Sequence, residues 1–308
     1  MSARYLLPYA PDDLGPLPDR LAADVLVWDG DSPAPAPAEL EGIEFFCLPY
    51  MRHPVALRLF PNLPALRVVQ TLTAGMDDVL PHVPAGVTAC NARGLHDAST
   101  AELAVTLILA SLRGIPRFSR LQAEGQWRQE FHQSLADKTV LILGHGSIGH
   151  ALAARLAPFE CEVVPVARTA RPDEGVHSVS ELPTLLPTAD VVVLLTPLTP
   201  ETRHLVDASF LARMKDGALL VNVARGPVVD TDALLKELTA KRLRAALDVT
   251  DPEPLPADHP LWHAPGTLIT PHVGGPSSAF LPRAKRLLRA QVLRYEGGET
   301  MANVIPMV

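Results

Sequence analysis

Short runs of β-branched and apolar residues recur along almost the whole chain, separated by stretches of helix length, and this alternation limits the fold more than any other feature. ARYLLPY, DVLVWDG, IEFFCL, LRVVQTL and VTAC read as strands of a first unit that ends near Cys90. A long helix, DASTAELAVTLILASLRG, follows, with Asp97 or Ser99 placed to cap it and Glu102 in its first turn. KTVLILG, a helix from about Ser147, then CEVVPVA, ADVVVLL, GALLVNVA, LRAALDV and GTLIT complete the pattern. A last amphipathic helix is expected from near Ser277 to about Tyr295. Nearly continuous apolar strands mean a parallel sheet buried on both faces, because an exposed face would show polar alternation. The 308 residues suffice for two such α/β units, each with its own core. SPAPAPAEL, Ser32 to Leu40, reads as a surface loop.

Composition narrows the function classes. A net charge of −7 argues against a general nucleic-acid or anionic-membrane surface. Cys47, Cys90 and Cys161 are widely spaced and odd in number, so neither a disulfide framework nor a zinc site is expected. The N-terminal stretch MSARYLLPYAPDDLG lacks the apolar core of a signal peptide, and the expectation is a cytoplasmic chain with no membrane span.

TVLILGHGSIGHALAARLA sets Gly144, Gly146 and Gly149 at G-x-G-x-x-G spacing between a strand and a helix, with Ser147 and Ile148 in the turn. The first glycine makes a tight turn, the second lets backbone approach a pyrophosphate, and the third lets helix and strand pack closely. The alternative is a tight turn that binds nothing. Units of this kind carry an acid at the end of the second strand to bind the ribose 2′-hydroxyl. Here that strand ends at Val166-Ala167, and Arg168, Thr169 and Arg171 follow, with no carboxylate before Asp173. Guanidinium groups suit a 2′-phosphate, which favours NADP while leaving NAD possible; solvated surface charge is the plainer alternative.

Three further strand ends carry chemistry. VNVARGPVVD places Arg225 at the carboxyl edge of the sheet, where ligands of open α/β sheets bind. ALDVTDPEPLP puts Glu253 in a proline-bracketed loop, and LITPHVGG holds His272 between Pro271 and two glycines. Singly, each has an ordinary reading: a surface ion pair, a solvated acid, a loop histidine. All three at one sheet edge beside a dinucleotide loop point to a reaction.

Taken with TAGMDDV, STAELA and LLTPLTPETRHL, and in this order and spacing, these motifs make the chain resemble a D-isomer-specific 2-hydroxyacid dehydrogenase over nearly its whole length. The resemblance implies two α/β domains with a cleft between them. A Rossmann-type doubly wound cofactor domain would span 95–280, and a smaller flavodoxin-like substrate (catalytic) domain would comprise 1–94 plus 281–308. It implies a homodimer with the Trp127 region near the interface, and a catalytic set of Arg225, Glu253 and His272. His272 would be the acid/base, Glu253 would raise its pKa, and Arg225 would grip the substrate carboxylate. Thr73, Ala74 and Gly75 resemble the loop whose amides meet that carboxylate, and an ordinary turn is their alternative. Asp248 resembles the residue holding the nicotinamide carboxamide, or it only caps its loop. Thr196, Pro197, Val223 and Ala224 would line the cofactor through their backbone, or simply pack the sheet. Thr100 would touch the cofactor or cap its helix.

His53, His96, His145 and His263 receive no role, since loop histidines are usually solvated and no pair has metal-ligand spacing. The sequence departs from the family at Thr250, where an aromatic residue is frequent, and in PYMRHPVALRLF, which is expected to face the substrate side chain. Tyr50, Met51 and Arg52 are therefore the positions where substrate identity is sought, Arg52 reading a second anion or standing as surface charge. The expected function is reduction of a small 2-keto acid, such as glyoxylate or hydroxypyruvate, with hinge closure and an NADP preference. A dinucleotide-sensing protein without turnover, and a formate- or phosphite-type dehydrogenase, remain as alternatives.

Overall fold

In the computed structural model, which describes residues 3–306, five of the apolar runs form short strands at the start of the chain. These are β1 (Tyr5–Leu7), β2 (Val25–Val27), β3 (Phe45–Cys47), β4 (Val68–Gln70) and β5 (Thr88–Cys90). One-turn helices α1 (Asp19–Ala23), α2 (Pro37–Leu40) and α3 (His53–Ala56) lie among them. The strands pair in parallel in the order β2-β1-β3-β4-β5, which is the flavodoxin-like order. The proline-rich stretch expected as loop ends in α2, where Glu39 accepts the Ala36 amide at 2.7 Å and so starts a turn.

The chain then enters α4 (Asp97–Leu112) and α5 (Ile115–Ala123). Asp97 is the first helical residue of α4 and Ser99 lies within its first turn, while Glu102 falls in the second turn. Strands β6 (Thr139–Leu143), β7 (Glu162–Ala167), β8 (His177–Ser178), β9 (Val191–Leu194), β10 (Leu219–Asn222), β11 (Arg244–Leu247) and β12 (Thr267–Ile269) follow. Between them lie α6 (Ser147–Leu156), α7 (Leu182–Leu185), α8 (Ala208–Arg213) and α9 (Thr231–Thr239). The seven strands are all parallel, in the order β12-β11-β10-β9-β6-β7-β8. The order reverses between β6 and β9, the topological switch point where ligands of such sheets bind. β8 was not expected: it is two half-buried residues on the sheet edge, too short to leave a pattern.

Alternation along each strand explains why the runs are continuously apolar. Val140 and Ile142 of β6, with Val191 and Val193 of β9, share one core with Ala104, Leu107 and Ile108 of α4 and with Leu152 of α6. Their neighbours Leu141, Leu143, Val192 and Leu194 face the opposite core, with Phe210 and Leu211 of α8 and Leu234 of α9. Both faces of the sheet are thus covered, as a parallel sheet requires.

The last helix, α10, runs Phe280–Glu296 and starts later than the amphipathic pattern suggested, because Ser278 and Ala279 form a turn. It packs Ala284, Leu288 and Val292 onto the face of the five-stranded sheet that carries Tyr5, Leu7, Phe45 and Cys47. The chain accordingly divides into two compact units, Met1–His96 with Ser278–Val308, and Asp97–Ser277. Among the described residues no single helix is long and apolar enough to cross a membrane; α4 and α5 reach the required length only as a pair bent by 66°. The three thiols are unpaired, with Cys47 and Cys90 buried.

Candidate active site

The glycine loop follows β6 at the switch point. Gly144 has φ +111°, and a Cβ there would lie 2.6 Å from the Leu195 carbonyl carbon, so only glycine lets β6 and the β9 loop run this close. A Cβ on Gly149 would lie 2.5 Å from the Gly144 oxygen, so the third glycine is required for α6 to pack on its own loop. Gly146 differs: a Cβ there would meet nothing within 4 Å, and the residue caps α6 without any side-chain hydrogen bond. An open space therefore faces an uncapped helix N-terminus, which suits a pyrophosphate. The Thr196 hydroxyl beside it is buried and has no hydrogen-bond partner among the described residues. Ser147 and Ile148 are half-buried in the first turn of α6, while Pro197 is exposed and Val223 and Ala224 are buried in the loop after β10. These residues fit NAD(P).

β7 ends at Ala167, and Arg168 and Thr169 stand exposed beyond it. Arg171 is half-buried; its Nη2 donates to the His145 carbonyl of the glycine loop at 3.1 Å, and its Nε donates to Glu174 at 2.9 Å. No acid occupies the strand end itself; the next carboxylates, Asp173 and Glu174, lie in the turn Pro172–Glu174.

The three strand-end side chains are set by backbone contacts that the motifs do not show. Asn222, buried at the end of β10, donates from Nδ2 to the Arg225 carbonyl at 2.9 Å and accepts the Ala224 amide at 3.0 Å. This fixes the loop from which Arg225 projects. A Cβ on Gly226 would lie 1.8 Å from the Thr250 oxygen, so the loops after β10 and β11 touch backbone to backbone. That second loop carries Glu253, between two cis X-Pro bonds.

Glu253 Oε1 lies 2.6 Å from His272 Nδ1. The hydrogen bond to Glu253 holds the His272 imidazole above its ordinary pKa, against burial and the Arg225 charge, which both oppose protonation. Burial works to raise the Glu253 carboxyl, yet the His272 hydrogen bond and charge, helped by Arg225, keep it below its usual range. Arg225 is therefore close enough for its charge to act on both partners. With Nδ1 engaged by the carboxylate, Nε2 is the ring nitrogen left to exchange a proton.

His272 itself has φ +53°, a left-handed conformation rare for a residue with a side chain. Asp248 supports it. The Asp248 carbonyl accepts the His272 amide at 2.8 Å, and its carboxylate accepts the Thr270 hydroxyl at 2.6 Å, the Val273 amide at 2.8 Å and the Gly274 amide at 2.9 Å. The loop-capping reading of Asp248 is thus realised, and since a carboxylate offers about four acceptor sites it keeps capacity for one more donor. Thr100 does not cap α4: its buried hydroxyl donates to the Gly274 carbonyl at 3.2 Å and ties the helix to the His272 loop.

In the other unit, the loop after β4 has its carbonyls occupied. Thr71 Oγ1 donates to the Thr73 carbonyl at 3.0 Å, Asn91 Nδ2 to Ala74 at 2.7 Å, and Thr73 Oγ1 to Gly75 at 2.7 Å. No acceptor among the described residues takes the amides of Ala74 and Gly75, which suits an anion. A buried pair braces this loop: Gln291 of α10 donates to Gln70 at 2.7 Å, and Gln70 donates to the Thr71 and Asn91 carbonyls at 2.8 and 3.0 Å.

Two histidines expected to be solvated are buried. His53 pairs with Asp78 at 2.7 Å, and His96 lies 2.8 Å from the Leu72 carbonyl, its ring nearly parallel to Phe280. His263 is exposed and His145 half-buried. No cluster of metal-ligating side chains occurs among the described residues. Tyr50 stacks on Phe280 with ring centres 4.1 Å apart, Met51 is exposed at φ +60°, and Arg52 is paired with Asp31 at 2.7 Å. Asn222, Thr270, Gly226 and the Gln70–Gln291 pair escaped sequence reasoning; the one signal available was a polar residue closing an otherwise apolar strand, as in LLVN.

Comparison with known proteins agrees with this geometry. The model of the D-isomer specific 2-hydroxyacid dehydrogenase NAD binding domain matches residues 105–274. The human glyoxylate reductase/hydroxypyruvate reductase is 34% identical over 305 residues, covering 93% of this chain and 92% of that protein. A D-isomer specific 2-hydroxyacid dehydrogenase from Xanthobacter autotrophicus Py2, solved with NADPH and MES, superposes with a TM-score of 0.80 at 32% identity over 100% of this chain and 99% of that one. An NADPH-dependent glyoxylate/hydroxypyruvate reductase from Sinorhizobium meliloti, solved with NADP and sulfate, gives a TM-score of 0.83 at 27% identity over 100% and 99%. With the glycine loop, the strand-end residues and these likenesses together, the chain belongs to the D-isomer-specific 2-hydroxyacid dehydrogenase family and is an NAD(P)-dependent oxidoreductase.

Proposed function

We propose that the chain reduces a small 2-keto acid of the glyoxylate or hydroxypyruvate type to the D-2-hydroxy acid, with NADPH preferred over NADH. The observation that carries this reading is the Glu253–His272 pair at 2.6 Å, beside Arg225 at the carboxyl edge of a dinucleotide-type sheet. The relatives named for glyoxylate and hydroxypyruvate reduction support the substrate class.

The bound nicotinamide supplies the hydride. Arg225 holds the substrate carboxylate through paired, charge-assisted hydrogen bonds and polarises the neighbouring keto group. In the other unit, the amides of Ala74 and Gly75, which no acceptor among the described residues takes, are donors suited to an anion. His272 delivers the proton from Nε2 to the keto oxygen, so hydride and proton together complete the hydroxyl. Glu253 keeps the imidazole charged and turned the right way, since its hydrogen bond fixes the proton on Nδ1. Arg168, Thr169 and Arg171 meet the adenosine end, where guanidinium groups favour a 2′-phosphate.

Self-association into a homodimer is part of the same reading. The segment after α5 leaves Trp127 96% and Phe131 108% exposed, an apolar display that isolated soluble chains rarely maintain. Unpaired, buried cysteines suit a reducing, cytoplasmic compartment.

Four outcomes are expected. Purified protein should oxidise NADPH with glyoxylate or hydroxypyruvate, and His272→Ala should lower kcat by about 10²–10⁴-fold; tight cofactor binding without turnover on a panel of 2-keto acids would instead favour a sensing role. Reduction needs the imidazolium, so its rate falls as pH rises through the elevated His272 pKa. Glu253→Gln removes the main cause of that elevation, so the fall in kcat/KM should move to lower pH; an unmoved profile would exclude the pairing as its cause. Arg168→Ala should weaken NADPH binding about 10-fold while sparing NADH, and equal losses for both would return it to surface charge. Light scattering should give about twice the 33.1 kDa chain mass, and replacing Trp127 and Phe131 by serine should return the monomer; a monomeric parent protein would refute the dimer.

A further inference from the structure

The turn that follows β7 is closed on itself. The Arg171 amide donates to the Val176 carbonyl at 2.8 Å and the Val176 amide returns to Arg171 at 3.1 Å, with Gly175 left-handed at φ +67° between them. Within this closed turn the Glu174 amide donates to the Arg171 carbonyl at 3.0 Å. Glu174 is thus a carboxylate on a braced turn, with Arg171 Nε at 2.9 Å on one side and His150 Nε2 at 3.9 Å on the other.

The two groups beside it are themselves fixed to the glycine loop. Arg171 donates to the His145 carbonyl, and His150, in the second half of the first turn of α6, sits with Nδ1 2.8 Å from the Gly146 carbonyl. The His145 and His150 rings lie 4.0 Å apart. Gly149 makes room for them, since a Cβ there would already lie 3.2 Å from His145 Nδ1. The titratable and charged groups facing the carboxylate are therefore Arg171 from its own turn and His150 from α6, with His145 of the glycine loop behind them.

We propose that Glu174 is a specificity-determining residue that restrains the preference for NADPH and keeps NADH usable. The inference rests on the NADPH reading above. A 2′-phosphate at this end of the sheet would draw on Arg171, the cation Glu174 already engages, and would bring a second anion next to its carboxylate. An unphosphorylated ribose brings no such charge, and its hydroxyls can donate to a carboxylate as they do to the acid usually found after this strand. Both effects have the same sign. Because Arg171 and Glu174 are half-exposed, the ion pair itself yields easily, and the remaining carboxylate charge is what discriminates.

Equilibrium titration of the full-length protein with NADPH and with NADH, followed by quenching of its tryptophan fluorescence, tests this. Glu174→Gln keeps the shape and hydrogen-bonding reach of the side chain and removes only the charge. It should tighten NADPH about 3–10-fold, leave NADH unchanged or slightly weaker, and lose most of the difference in 0.5 M salt, where exposed charges are screened. Unchanged binding of both cofactors, equal shifts for both, or weaker NADPH would overturn the proposal. Arg171→Ala separates its failure from that of the underlying reading. If Arg171→Ala weakens NADPH selectively while Glu174→Gln is silent, the adenosine-end arginines stand and the role of Glu174 falls. If neither variant nor Arg168→Ala alters NADPH relative to NADH, the NADPH reading falls as well.

Discussion

A single buried carboxylate holds the chemical edge of the larger unit in shape. Asp248 directly follows β11, is 3% exposed, and gathers the Thr270 hydroxyl and the Val273 and Gly274 amides, while its own carbonyl takes the amide of His272. A buried acid is tolerated only with such partners, and here the partners are the backbone of the loop that presents the imidazole. That loop has to be clamped, because His272 sits at a positive φ that its own side chain disfavours. Thr100 extends the clamp to α4 through Gly274, so a helix packed in the core and a histidine at the surface share one hydrogen-bonded frame.

Close backbone contacts do for Arg225 and Glu253 what hydrogen bonds do for His272. Gly226 lies so near the Thr250 carbonyl that any side chain would force the loops after β10 and β11 apart. The two residues lie in the loops after neighbouring strands, and their spacing is set by this contact and by the Asn222 amide that ties down Ala224 and Arg225. Rigidity of this kind matters more than the strength of any one bond, since an acid/base group displaced by an ångström loses much of its effect. The electrostatics then follow from geometry: a carboxylate 2.6 Å from Nδ1 outweighs the nearby guanidinium and burial in setting the charge of the imidazole.

Much of this was legible in the sequence because it depends on local rules. A parallel sheet covered on both faces needs apolar strands without alternation, and eleven of the twelve strands among the described residues announce themselves that way; β8, two residues long and carrying His177 and Ser178, does not. The glycine loop and the ARG, PEP and PHVGG strand ends are legible because their chemistry lies within a few residues. What stayed hidden pairs residues far apart. Gln70 and Gln291 are separated by 221 positions, and Thr270 reaches Asp248 across 22. The burial of His53 and His96 was likewise hidden, since it is decided by Asp78, Leu72 and Phe280, on other elements. No acid stands at the end of β7; Glu174, proposed above to act there, lies farther along a closed turn whose geometry no spacing rule describes.

That displacement bears on how a dinucleotide site divides its labour. A pyrophosphate would be met by features with no alternative, since Gly144 and Gly149 are fixed by contacts that a methyl group would break and Gly146 leaves the helix end open. These contacts are common to both dinucleotides and give no discrimination between them. If NADPH is preferred as proposed, discrimination would come from the turn after β7, which is largely exposed and made of charges of both signs. Exposed charges act weakly one at a time, so a selector built from Arg168, Arg171 and Glu174, as proposed above, would grade preference rather than fix it and would be open to change by single substitutions that leave the clamp at Asp248 untouched.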